Sequence, residues 1–280
     1  MVADGEWQSD LLDLHAYLAR IGVTGPLPAD ERTLALLHRA HVLSIPFENV
    51  DIALGRGVSL DLDAVQAKLV GRRRGGYCYE HTLLFGAALE RLGFPVRRLS
   101  GRTRMGTDEV RARTHVALLV GEPGHGWLAD VGLGSAGPIG PLPWRDGQRC
   151  DEGRWSYRLD RDHDDLWVLR IRRPDGWFDL YSIDSTPQHH IDYEVGNHYV
   201  STHPDSPFAR RLVAGSTRTD RRMRLAGRTC TVEWAPGEPS TRELGDAEFE
   251  RVLTEDMGIG LDADDLPALT AMTRPILVDR

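Results

Sequence analysis

The stretch RRRGGYCYEH, Arg72 to His81, decides how the rest of the chain is read. It sets one of only three cysteines between two tyrosines, directly after a Gly-Gly pair and three arginines. CYEHTLLFGAALERLG reads as a helix that starts at Cys78 and stops at Gly93. Cys78, Phe85, Leu89 and Leu92 lie at offsets of 7, 11 and 14, so they share one face of that helix. The thiol thus points inward from a helix start, where the positive end of the macrodipole favours a thiolate. A free cysteine is largely un-ionised at neutral pH, so a reactive one also needs a base from another element.

Two downstream stretches supply candidates. In RTHVALLV, His115 begins an apolar strand, and in GWLADVGLG, Asp130 ends the next one. A carboxylate between Ala129 and Val131 is costly to bury unless it is paired. The turn GEPGHG joins the two strands, so hairpin pairing brings His115 and Asp130 together. Cys78, His115 and Asp130 then form a nucleophilic unit: the acid orients the imidazole, the imidazole takes the thiol proton, and the sulfur attacks an acyl carbon. Singly, each residue has an ordinary structural explanation, a buried cysteine above all. Their joint pattern is what points to catalysis.

Organisation along the chain agrees with a helical start and a strand-rich middle. Ser9 is read as the cap of a first helix ending at Gly22, Asp30 as the start of a second bearing Leu34, Leu37, His38 and His41, and Asp61 or Asp63 as the start of a third. After Pro95, HVALLVG, GWLADVG, RWSYRLD, LWVLRIRR, GWFDLYSID and NHYVSTHP read as antiparallel strands, because the joins are mostly too short for helical crossovers. Beyond residue 204 a strand at RTCTVEWAP and helices at DAEFERVLTEDMG and DADDLPALTAM are expected. The expected fold is α+β: an N-terminal helical bundle over 1–95, a central antiparallel β-barrel-like domain over 96–203, and a C-terminal α/β lid over 204–280, with a cysteine-protease-like core.

The balance of 34 basic and 42 acidic residues, formally −8, argues against nucleic-acid and anionic-membrane partners. The first residues lack the basic start and apolar run of a signal peptide, and no run approaches the length of a spanning helix. A cytoplasmic setting is the expectation. Cys78, Cys150 and Cys230 are odd in number and far apart, which fits neither a disulfide framework nor a metal site. Gly132, Gly134 and Gly137 match a dinucleotide fingerprint, but the prolines of PIGPLP forbid the helix that should follow.

The chain resembles the arylamine N-acetyltransferase family in RGGYCYE, in SIPFENV (Ser44 to Val50), in the Thr-His-Val strand, in Asp-Val-Gly-x-Gly at Asp130 to Gly134, and in VSTHPDSPF (Val200 to Phe208). The resemblance covers about residues 10 to 210. It implies Cys78, His115 and Asp130 as the triad, acetyl-CoA as acyl donor with no metal, and an arylamine or hydrazine as acceptor, with a homodimer among the assemblies it allows. It also implies Gly132, Gly134 and Phe208 beside the CoA arm, and Phe47, Leu133 and Phe208 around the acyl and acceptor pocket. Leu133 stands where relatives often carry phenylalanine, which leaves acceptor preference open. Arg74 and Glu48 are expected to brace the cysteine helix as a buried ion pair, while Arg72 and Arg73 read as a solvated run. The competing readings are an amide synthase of the same superfamily, a papain-like or transglutaminase-like hydrolase, and a non-catalytic small-molecule binder.

Overall fold

A computed structural model describes residues 6–163, 165–235 and 237–273. Aspartates open the first helices. The Asp13 carboxylate accepts the Ala16 N–H at 2.9 Å and begins α1 (Leu14–Ile21), and Asp30 accepts the Thr33 N–H at 2.8 Å and begins α2 (Glu31–Ser44). Ser9, expected as the first cap, instead lies in a single 3-10 turn with its hydroxyl on Glu90, and Asp13 supplies the cap with a charged acceptor. Then come β1 (Phe47–Glu48), α3 (Val50–Ala53) and α4 (Leu62–Gln66), the last running into a widened turn, Ala67–Gly71.

The helix α5 (Cys78–Arg91) is buried at every residue from Cys78 to Leu89, so it forms the axis of the helical core rather than a surface helix with one apolar stripe. Beside it runs an eight-stranded antiparallel sheet made of β2 (Val96–Thr103), β3 (Arg113–Val120), β4 (Trp127–Ala129), β5 (Leu142–Pro143), β6 (Gln148–Glu152), β7 (Trp155–His163), β8 (Leu166–Arg173) and β9 (Gly176–Ile183). Its order is β5-β4-β3-β2-β9-β8-β7-β6, and β5 comes back into contact with β7, so the sheet is a nearly closed barrel. The β3 strand explains its unbroken apolar run: Val116, Leu118 and Val120 face the helical core, while Ala117 and Leu119 face the barrel interior.

After α6 (His190–Thr202) and α7 (Pro207–Arg210), the chain forms β10 (Val213–Thr217), β11 (Arg221–Ala226), β12 (Thr229–Trp234) and β13 (Ser240–Glu243), then α8 (Asp246–Arg251) and α9 (Asp265–Thr273). Strands β10 to β13 make a second antiparallel sheet whose outer neighbour is β1, so residues 47–48 are hydrogen-bonded to the C-terminal part. The α+β architecture is thus the one expected, with one local correction. NHYVSTHP is not a strand but the latter half of α6, where Tyr193, Asn197 and Val200 are buried at helical spacing. Cys150 lies in β6, opposite Tyr157. No helix among the described residues is long and apolar enough to cross a membrane.

Candidate active site

Cys78 is the first residue of α5, and Glu80 on the same turn accepts the Tyr77 N–H at 3.0 Å. The turn in front of it is braced by buried charge. Arg74, 1% exposed, reaches Glu48, 0% exposed, with Nε 2.9 Å and Nη2 2.8 Å from Oε1. Lys68 lies 2.8 Å from both Asp51 and Glu80, and Arg74 lies 3.6 Å from Asp265 of α9. Burial pushes the Glu80 carboxyl up, to about 7, against the pull of Lys68. Of the three consecutive arginines, Arg72 and Arg73 are exposed, with Arg72 4.0 Å from Asp262.

His115 and Asp130 meet as neighbours on the hairpin. Leu118 pairs with Ala129, so Asp130 follows β4 on the face shared by His115 and Ala117, one diagonal step from His115. His115 Nε2 is 2.8 Å from Asp130 Oδ2, and Oδ1 accepts the Gly132 N–H at 3.0 Å. The Cys78 sulfur donates to the Thr114 carbonyl oxygen at 3.8 Å and sits near enough to the imidazole to help raise its pKa. All three residues are buried. Burial alone would push the His115 pKa down, but the Asp130 charge and hydrogen bond, with the thiol beside it, outweigh burial and hold it at about 10. Burial likewise works against the Asp130 carboxylate, yet the His115 charge and the Gly132 N–H hold its pKa below the ordinary value.

The remaining expected site residues divide into two sets. Phe47 lies in a narrow cleft with His81, Val131, Gly134, Gly215 and Thr217, and its ring sits 6.0 Å from Phe208. Gly132 touches Cys78: a Cβ there would stand 2.8 Å from Cys78 Cα and 3.2 Å from its Cβ, so only glycine lets the two backbones approach. Leu133 does not join Phe47. Its backbone, at φ −84° and ψ 4°, has left the strand and opens the turn Gly134–Ala136, which packs its side chain on the barrel core. Val131 occupies the cleft in its stead.

Sequence reasoning missed Tyr181, whose ring lies 4.5 Å from His115. Its buried hydroxyl has no hydrogen bond of good geometry, yet it sits near enough to Asp130 to help keep that carboxyl ionised. It also missed His81, which stacks on Phe47 at an interplanar angle of 5°. The signal for His81 was its place one turn beyond Cys78; Tyr181 gave none, since it arrives through the β2–β9 pairing. Among the described residues, no set of three His, Cys, Asp or Glu side chains converges to hold a metal.

Known proteins with this fold set the class: residues 30–266 match the family model described as N-acetyltransferase. The arylamine N-acetyltransferase of Mycolicibacterium smegmatis is 40% identical over 256 residues, which span 89% of this chain and 93% of that protein. The solved structure of Nocardia farcinica arylamine N-acetyltransferase superposes with a TM-score of 0.89 at 43% identity, covering 96% of this chain and 97% of that one. The Mycobacterium marinum arylamine N-acetyltransferase in complex with CoA superposes at 0.86 with 36% identity, covering 93% and 99%. The chain belongs to the arylamine N-acetyltransferase family.

Proposed function

We propose that the protein transfers an acetyl group from acetyl-CoA to an arylamine or hydrazine through an acetyl-Cys78 intermediate, with Cys78, His115 and Asp130 as the triad. The observation that carries this reading is the buried row of thiol, imidazole and carboxylate, in which Asp130 holds the His115 pKa at about 10. A protonated imidazole beside the sulfur favours the thiolate, the nucleophilic form.

The sulfur attacks the acetyl carbonyl carbon, the C–S bond to CoA breaks, and the departing CoA sulfur takes the His115 proton. The neutral imidazole then accepts a proton from the attacking amine as the acetyl–Cys78 bond breaks, which restores the starting pair. One thioester replaces another in the first half, so the intermediate is neither a trap nor a barrier. The Cys78 N–H belongs to the first turn of α5, whose amides lack intrahelical acceptors, and it serves as one oxyanion donor. Phe47 and Phe208 form the apolar wall for the acceptor ring, and Gly132 and Gly134 flank the acyl donor. Strand β10, whose Gly215 and Thr217 line the cleft, is the part of the C-terminal segment that shields the acetyl-enzyme from water. A cytoplasmic setting goes with this reading, since it keeps the three free thiols reduced.

Steady-state kinetics with acetyl-CoA and a panel of aniline and hydrazine acceptors test it. Parallel double-reciprocal lines with the N-acetyl product are expected. Intersecting lines, or acetate release with no dependence on amine, would contradict it.

A further inference from the structure

Helix α6 carries Gly196 in its interior, where glycine is destabilising relative to alanine. The reason lies across the helix surface. A Cβ at Gly196 would stand 3.0 Å from Tyr79 Cζ and far inside contact distance of the Tyr79 hydroxyl. Tyr79 is 1% exposed and has little room to retreat, with the rings of Tyr77 and Tyr193 at 5.4 and 5.5 Å.

The next residue of α6 holds the other tyrosine. Asn197 Oδ1 accepts the Tyr77 hydroxyl, and Asn197 Nδ2 donates to the Val58 carbonyl at 2.9 Å. The helix is fixed in turn by Tyr193, whose hydroxyl donates to the Leu99 carbonyl of β2 at 3.1 Å. Tyr77 and Tyr79 are the chain neighbours of Cys78, so two adjacent residues of α6 meet the far ends of both side chains that bracket the nucleophile.

We propose that Gly196 and Asn197 are positioning residues that set the place of the Cys78 backbone through the rings of Tyr79 and Tyr77. The proposal rests on the acyl-transfer reading only for one of its two readouts. A displacement of about 1 Å at a reacting atom costs on the order of 100-fold in rate, so an extra methyl at Gly196 should act on Cys78 without touching it.

The test compares Gly196→Ala, Tyr79→Phe and the double variant in the full chain. Cys78 alkylation by iodoacetamide and single-turnover acetylation by acetyl-CoA are measured beside the thermal midpoint. Gly196→Ala is expected to slow both reactions at least about 10-fold. Tyr79→Phe, which removes the oxygen the methyl would strike, should stay within about threefold of wild type, and the double variant should return to that level. Rescue of this kind is not expected if Gly196 matters only for helix stability. The proposal is overturned if Gly196→Ala reacts at the wild-type rate, if the double variant stays as slow as Gly196→Ala, or if Tyr79→Phe alone is as slow. Should Gly196→Ala fail to fold, a double variant that folds and reacts supports the proposal, and one that does not overturns it. Wild-type protein that is alkylated but never acetylated would refute acyl transfer and leave the alkylation ratios to decide the matter.

Discussion

His115 sits between two opposing influences, burial pushing its pKa down and Asp130 pulling it up to about 10. Asp130→Asn removes the charge and leaves burial opposed only by the thiol, which favours the neutral imidazole at pH 7. Single-turnover acetylation should fall about 100-fold or more, and a loss under about threefold would contradict the assigned role. The other thiols provide an internal control: burial, with Glu152 and Asp151 nearby, raises the Cys150 pKa, and burial raises that of Cys230. Iodoacetamide at neutral pH should modify Cys78 at least about 10-fold faster than Cys150 in native protein, and equal rates by peptide mapping would count against a paired thiolate. At this scale the meeting of His115 and Asp130 was legible because each stands at a strand boundary and one turn joins their strands. For Leu133 the residue pattern gave no sign of the 3-10 turn that follows it, nor of its packing on the barrel core.

Among the elements, the turn before α5 depends on one guanidinium. Arg74→Ala leaves Glu48 with only Lys68, 3.8 Å away, as a counter-charge within a buried cluster that also holds Asp51 and Asp265, and should cost about 3–5 kcal/mol in urea denaturation. Arg74→Lys keeps the charge but loses the fork and should fall between the two. A cost below about 1 kcal/mol for the alanine variant would show that the ion pair does not brace this turn. Most elements could be read locally, since Asp30 caps α2, and β3, β4, β7, β8 and β9 carry β-branched and aromatic runs, whereas β5 and β6 carry none. The α6 helix could not, because Tyr199, Val200, Ser201 and Thr202 have strand propensity while the burial of Tyr193, Asn197 and Val200 imposes the helix.

The whole molecule buries several neutral histidines, and their titration shapes its stability. Burial lowers His38 and His81 to about 4 and pushes His41 well down, from an ordinary 6.5. Below 6.5 the unfolded chain binds protons that the native state refuses, so stability present above 6.5 is lost as pH falls towards 4. His115 has the opposite sign: its contribution is full below 6.5 and is lost as pH rises through about 10. Glu80, raised to about 7, contributes fully below 4.5 and loses that contribution as pH rises through 7, which partly offsets the acid limb. Burial also raises Glu152, so three histidines stand against two carboxyls and leave a net acid loss; the thermal midpoint should drop between pH 6.5 and 4.5, and a flat profile there would contradict the assignment. Class and strand-rich middle were legible at this scale, but the pairing of β1 with β10 was not, since a two-residue strand carries no periodicity and its partner lies more than 150 residues away. Acetylation of Cys78 is the claim on which the account turns. Peptide-mapped mass spectrometry after brief exposure to acetyl-CoA should find one acetyl group, on Cys78, that disappears when an arylamine is added and never forms in Cys78→Ala. An unmodified Cys78, or an acetyl group elsewhere that persists in Cys78→Ala, would contradict it.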